Sequence, residues 1–202
     1  MHDKPLLMQL IEAFQCLPGV GKKSAQRMAY HLLNANRQNA LKLADLLERS
    51  MQSIQHCQQC RDYTEQTLCA LCRNERRDQS VLCIVETPAD IVAIEATGTY
   101  AGRYFVLMGH LSPLDGIGPE EIGLNDLREL VVNNQCREVI IATSATIEGE
   151  TTSHFIVSML QQIPDLTIKI SRLAQGVPVG GELEYLDSST LALSLANRQN
   201  IN

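Results

Sequence analysis

The sequence predicts an α/β protein: an all-helical N-terminal block, a small cysteine-rich insert, a parallel α/β domain and a strand–helix tail. Three observations predict it. Apolar residues repeat at helical spacing through the first 54 residues. Two C-x-x-C pairs fall within 57–72, in a polar stretch too short for an apolar core of its own. From residue 81, short β-branched runs alternate with helical patterns, as in a mostly parallel sheet covered on both faces.

In the helical block, Leu7, Leu10, Ile11 and Phe14 predict a short amphipathic helix over 6–16. Pro18, Gly19 and Gly21 end it. A second helix carries Ala25, Met28, Ala29, Leu32 and Leu33 on one face, and a third carries Leu41, Ala44, Leu47, Met51 and Ile54. In the α/β part, VLCIV (81–85), YFVLM (104–108), EVIIAT (138–143) and TIKIS (167–171) read as strands. Helices are predicted near 88–97, 120–134 and 152–163, with Pro119 suited to a first helical position. IIATSATIEGE (140–150) reads as a buried strand running into an acidic loop. In the tail, ELEYLD alternates like an edge strand, and a short helix follows, capped near Ser188.

Composition narrows the function classes. The chain has 202 residues, 45% hydrophobic and 20% charged, as an ordinary globular protein has. No apolar run approaches the roughly 20 residues of a membrane span. Met1–Pro5 shows no cleavable signal pattern, so a cytoplasmic, nucleoid-associated location with reduced thiols is expected. There is no Trp and aromatics are few, so base stacking is not the obvious strategy. Net charge is −6, but it is segregated: +3 over 1–50, zero over 51–80 and −9 over 81–202. A polyanion suits the N-terminal part; the acidic part suits a basic partner.

Three segments carry chemistry. LPGVGKKSAQRMAYHLL (17–33) puts Gly19 and Gly21 before a helix N-terminus, where free N–H groups favour an anion. Lys23 and Arg27 share a helix face, and Lys22 stands beside them. The alternative is a plain turn with a solvated basic face. CQQCRDYTEQTLCALC offers Cys57, Cys60, Cys69 and Cys72 as two knuckles closing a tetrahedral Zn²⁺ site with no open position, hence a structural one. A pair of redox C-x-x-C motifs is the alternative. Cys16, Cys83 and Cys136 read as small buried hydrophobes. Glu86 ends the first strand of the α/β part, where ligand sites form, and Glu148 and Glu150 follow the third. Solvated loop acids are the alternative there.

These segments carry resemblances. LPGVGKK resembles a helix-hairpin-helix motif, which implies backbone contact with DNA without sequence preference. The α/β part resembles a Toprim domain, in which a strand-end Glu works with Asp-x-Asp in the frame Ala-Thr-Asp-Pro-Asp-Arg-Glu-Gly-Glu. This chain has Ala142-Thr143-Ser144-Ala145-Thr146-Ile147-Glu148-Gly149-Glu150. Glu86, Glu148 and Glu150 match, and both Asp positions are replaced. Losing two carboxylates should remove most Mg²⁺ affinity.

Helix-hairpin-helix, four-cysteine zinc finger, Toprim-like domain and GVPVGGELEY, in that order, resemble the RecR family of bacterial recombination proteins over essentially the full length. Domains are expected at 1–54, 55–78, 79–175 and 176–202. The resemblance implies no catalytic residue and a non-enzymatic DNA clamp in recombinational repair. It implies a homotetrameric ring that works with RecO and RecF to load RecA onto single-stranded DNA coated by single-strand-binding protein. Lys23 and Arg27 correspond to the family's DNA contacts, and Glu86, Glu148 and Glu150 to acids that contact RecO. The rival reading is a Mg²⁺-dependent nuclease, primase or topoisomerase using those acids. A Walker-B-like reading of the tail finds no P-loop to pair with.

Overall fold

The computed structural model describes residues 4–35, 37–164 and 166–198, in two compact units, 1–54 and 55–202. The first unit holds α1 (Leu6–Phe14), α2 (Lys22–Ala35) and α3 (Arg37–Ser53). Its buried core is small. Ile11, Ala25 and Ala29 are buried, with Leu10, Phe14 and Val20 packed against them. Two alanines one turn apart let α1 lie close on α2. None of the described residues of α3 is buried, and Leu41, Leu47 and Met51 stand exposed. Between the three helices runs an apolar groove of about 840 Å³, lined by Leu10, Phe14, Leu17, Leu32, Leu41 and Leu47 among others. Cys16, expected buried, is exposed at its rim. It lies past the end of α1, in a turn where its N–H donates to Ala13 O at 3.2 Å.

The second unit opens with a hairpin, β1 (Gln55–His56) and β2 (Tyr63–Thr64), and a one-turn helix, α4 (Ala70–Arg73). There follow β3 (Asp78–Val85), α5 (Pro88–Glu95), β4 (Gly102–Val106), α6 (Leu124–Asn133), β5 (Glu138–Ala142), α7 (Ile147–Gln161), β6 (Lys169–Arg172) and α8 (Ser188–Ala196). The sheet order is β4-β3-β5-β6, all parallel. Val85 pairs with both Val106 and Ala142, so β4, β3 and β5 end level.

The two-residue period of β3 divides the core. Leu82 and Ile84 face Phe105, Val139 and Ile141, under Leu124, Leu127, Ile156 and Leu160 of α6 and α7. Cys83 and Val85 face the other way, with Tyr104, Val106 and Ile91 of α5. Each large apolar side chain so buried contributes about 1.5–3 kcal/mol, enough to fix the strand register.

Three expectations need correction. The stretch after β5 is not an acidic loop: Thr146 caps α7, its Oγ1 accepting from Gly149 N–H at 3.1 Å. Glu148 and Glu150 therefore sit in the first helical turn, where the helix dipole favours acids. Pro119 does not open a helix. It lies in a turn whose carbonyl accepts from Leu124 N–H at 3.0 Å, and α6 starts only after Gly123. The tail has no edge strand among its described residues; Leu183–Tyr185 forms a 3₁₀ turn. With no strand beside it in the chain, this backbone closes its hydrogen bonds locally, Tyr185 N–H to Glu182 O at 3.2 Å. Leu183 and Tyr185 remain exposed.

Candidate functional site

Cys57 follows β1, Cys60 closes the hairpin's first knuckle, Cys69 precedes α4 and Cys72 lies on it. All four are buried, and their sulfurs lie within 4.8 Å of one another. Cys60 and Cys69 sulfurs stand 3.5 Å apart, close to the roughly 3.8 Å separation of tetrahedral ligands with 2.3 Å Zn–S bonds. Backbone N–H groups already point at sulfur: Cys69 N–H at Cys57 Sγ, 3.3 Å, and Cys72 N–H at Cys69 Sγ, 3.4 Å. Hydrogen bonds from the Cys60 thiol and then the Cys72 thiol pull the Cys69 pKa down, favouring its thiolate. Four buried sulfurs of this spacing fit a closed S₄ metal centre.

This centre is joined to the sheet edge. Cys60 O accepts from Val106 N–H of β4 at 2.9 Å. The next residue, Arg61, has a left-handed backbone, φ 65°. Its guanidinium lies over the Phe105 ring, 5.6 Å from the centroid, and donates to Ile122 O and to Leu107 O. From β4, buried Arg103 reaches back to Gln59 Oε1 at 2.8 Å and Cys72 O at 2.6 Å. Sequence reading had assigned neither arginine. Their partners are 31 to 61 residues away, and no local pattern marks them.

In the N-terminal unit, Gly19 adopts φ 76°, a turn that a side chain would strain. Gly21 O accepts from Ala25 N–H at 3.0 Å, which starts α2. Open space lies above both glycines. Lys22 and Lys23 stand in the first turn and Arg27 one turn later, all exposed. These five residues thus stand together along the start of α2.

The three acids do not. Glu86 is buried at the end of β3. Its carboxylate accepts from Ser144 N–H at 3.0 Å and Ser144 Oγ–H at 2.6 Å. Glu148 is exposed. Glu150 accepts from Arg172 at 2.9 and 3.0 Å and from Gln175 Nε2 at 2.9 Å, beside a cleft of about 180 Å³. Hydrogen bonding from Gln175, then from Arg172, holds its pKa below the usual carboxylate range. Among the described residues, only the four cysteines gather three or more metal donors. Gly149 lets α7 press on the strand end: a Cβ there would stand 2.9 Å from Glu86 Oε1.

Over 196 residues the chain is 56% identical to "Recombination protein RecR" of Legionella pneumophila strain Philadelphia 1, covering 97% of each chain. It is 55% identical to the proteins of that name from strains Corby and Lens, covering 97% of this chain and 98% of each relative. The chain belongs to the RecR family. Residues 7–51 match the RecR helix-hairpin-helix and 54–74 the RecR four-cysteine zinc finger domain. Residues 80–174 match the Toprim domain and 176–199 the RecR C-terminal family. The zinc-finger match names the ion for the four-cysteine centre of this RecR-family chain: Cys57, Cys60, Cys69 and Cys72 are placed to hold Zn²⁺. Among the described residues no helix is long and apolar enough to cross a membrane.

Proposed function

We propose that this RecR-family protein is a non-enzymatic DNA clamp and adaptor of recombinational repair, acting in the cytoplasm at the nucleoid. Lys22, Lys23 and Arg27, with the open backbone at Gly19 and Gly21, hold phosphates of single- or double-stranded DNA without reading bases. Glu86, Glu148 and Glu150 mark the face that docks a basic partner. By family resemblance that partner is RecO, with RecF joining it, and the output is RecA loaded onto single-stranded DNA. Four chains form the ring. One cradle is a weak ligand, and several act together, each phosphate neutralised adding about 0.9 to the salt slope.

The observation that carries the non-catalytic reading is the use made of the two substituted acid positions. Ser144 spends its hydroxyl and N–H on Glu86, and Thr146 spends its hydroxyl on capping α7. Arg172 and Gln175 occupy Glu150. Among the described residues, what remains there belongs to no group of three or more metal donors.

A DNA-retention assay on the Lys23→Ala/Arg27→Ala variant tests the cradle: retention should drop at least tenfold with zinc content and mass unchanged. Retention at parental level would remove the DNA assignment. Nicking, relaxation or primer synthesis in Mg²⁺ or Mn²⁺ that vanishes in Glu86→Gln would overturn the adaptor reading in favour of a Toprim enzyme.

A further inference from the structure

Past the phosphate cradle, α2 carries groups that the cradle does not use. At 3.6 residues per turn, Lys23, Arg27, Tyr30 and Asn34 fall within about 60° of one another around the helix, and the strip runs about 16 Å along it. It lies opposite buried Ala25 and Ala29. An open concavity along this helix is lined by Ser24, Arg27, Met28, Tyr30, His31 and Asn34. The N-terminal unit has two aromatic residues. Phe14 packs on the core, whereas Tyr30 is 48% exposed and sits in line with the cations. Its hydroxyl accepts from Gln26 Nε2 at 2.9 Å, one turn back, which steadies the ring against the helix. Asn34 ends the strip with an amide able to donate and accept.

We propose that this strip is a binding site for single-stranded nucleic acid, with Tyr30 as a stacking ledge beside the Lys23–Arg27 phosphate contacts. The proposal rests on the cradle reading above and adds a preference for nucleic-acid form. An aromatic face beside cations is how sequence-independent single-strand sites are built, because every base has a face to stack. A duplex keeps those faces stacked on each other. It meets only the cations, so Tyr30 gains nothing from it. Charge complementarity selects the occupant: the strip is cationic on a +3 block.

The test measures binding of full-length protein to a labelled oligo(dT) and to a labelled duplex, by fluorescence anisotropy across a salt series. Tyr30→Ala should weaken oligo(dT) binding about 5- to 150-fold, the range for losing one stacked base. Duplex binding should stay within about twofold, and the salt slope on oligo(dT) should not change, since no phosphate contact is lost. Tyr30→Phe should bind as the parent does. With no Trp in the chain, quenching of Tyr fluorescence by oligo(dT) gives a second readout, absent in Tyr30→Ala. Equal loss on both nucleic acids, or no loss on oligo(dT), overturns the ledge. So does a changed solution mass for Tyr30→Ala, which would place Tyr30 between copies of the chain. If Lys23→Ala/Arg27→Ala abolishes both bindings while Tyr30→Ala affects neither, the ledge falls and the cradle stands. No binding of oligo(dT) by a parent that binds duplex sinks the ledge alone; parental binding by the double variant, or a parent that binds neither, sinks both.

Discussion

Glu150 shows how a single carboxylate is held in two ways that differ in weight. Its ion pair with Arg172 is half exposed, 46% and 35% by side chain, so it contributes about 0.2–1 kcal/mol to stability. Its titration is the sharper probe. Its pKa lies below the ordinary 4.5, first through Gln175 and then through Arg172. A lowered native pKa stabilises the fold where the group is charged. That contribution is full above about 4.5 and is lost as pH falls through the lower native value. Gln175→Ala and Arg172→Ala should each raise the Glu150 pKa, read by carbon NMR of its carboxyl group. An unmoved titration in both would remove the clasp. Ser144→Asp, which restores the residue of the Toprim frame, should destabilise the fold. It deletes a hydrogen bond to a charged group, about 1.5–3 kcal/mol, and sets a like charge beside buried Glu86. A thermal melt at fixed zinc and without added Mg²⁺ should show Tm lower by about 4–10 °C; an unchanged Tm would mean that Ser144 does not hold Glu86.

Between elements, the zinc module acts as a buttress for β4 and the segment after it. Arg61 is the joint. Burial lowers its pKa, yet the carbonyls of Leu107 and Ile122 and the Phe105 ring receive the charge. The same segment reaches α7, where Leu111 N–H donates to Thr152 Oγ1 at 2.9 Å. Removing Zn²⁺ with a chelator should therefore raise amide hydrogen exchange at 57–72 and also at 106–124, while β5 stays protected. Exchange confined to 57–72 would show the module to be independent. Arg61→Ala should cost about 1–3 kcal/mol in denaturant melts at fixed zinc, by leaving buried carbonyls unpartnered. This is also where legibility divides. The four-cysteine spacing, the apolar run 81–85 of β3 and the helical pattern at 152–163 are local patterns, and the structure follows them. The arginine joints are contacts across dozens of residues, and sequence shows only one arginine in a polar loop, Arg61, and one at the head of an apolar run, Arg103. The start of α7 lay between. Thr146 is a good cap by type, but so is Ser144 two residues earlier, and only the bond of Ser144 to Glu86 leaves Thr146 to cap the helix.

At the scale of the whole molecule, two apolar surfaces stand exposed among the described residues, one in each unit. The groove of α1–α3 is lined by apolar side chains and Arg37, and the tail exposes Val179, Leu183, Tyr185 and Leu195. Apolar exposure of this kind, on the helical unit and on the tail of a 22.4 kDa chain, argues for two separate self-contacts, as the ring proposed above would use. Charge argues the same way. A +3 block holds few phosphates alone, and several on one ring multiply the salt dependence. Light scattering should therefore give a mass that is a multiple of the chain. Leu41→Glu/Leu47→Glu, on the groove, and Leu183→Glu/Tyr185→Glu, in the tail, should each lower that mass, and the two sets combined should give a monomer. With the contacts gone, DNA retention should become weaker and less steep in salt, because each cradle then acts singly. A monomeric parent, or groove and tail variants with parental mass and parental salt slope, would show that the apolar faces serve another partner and that clamping does not arise from assembly.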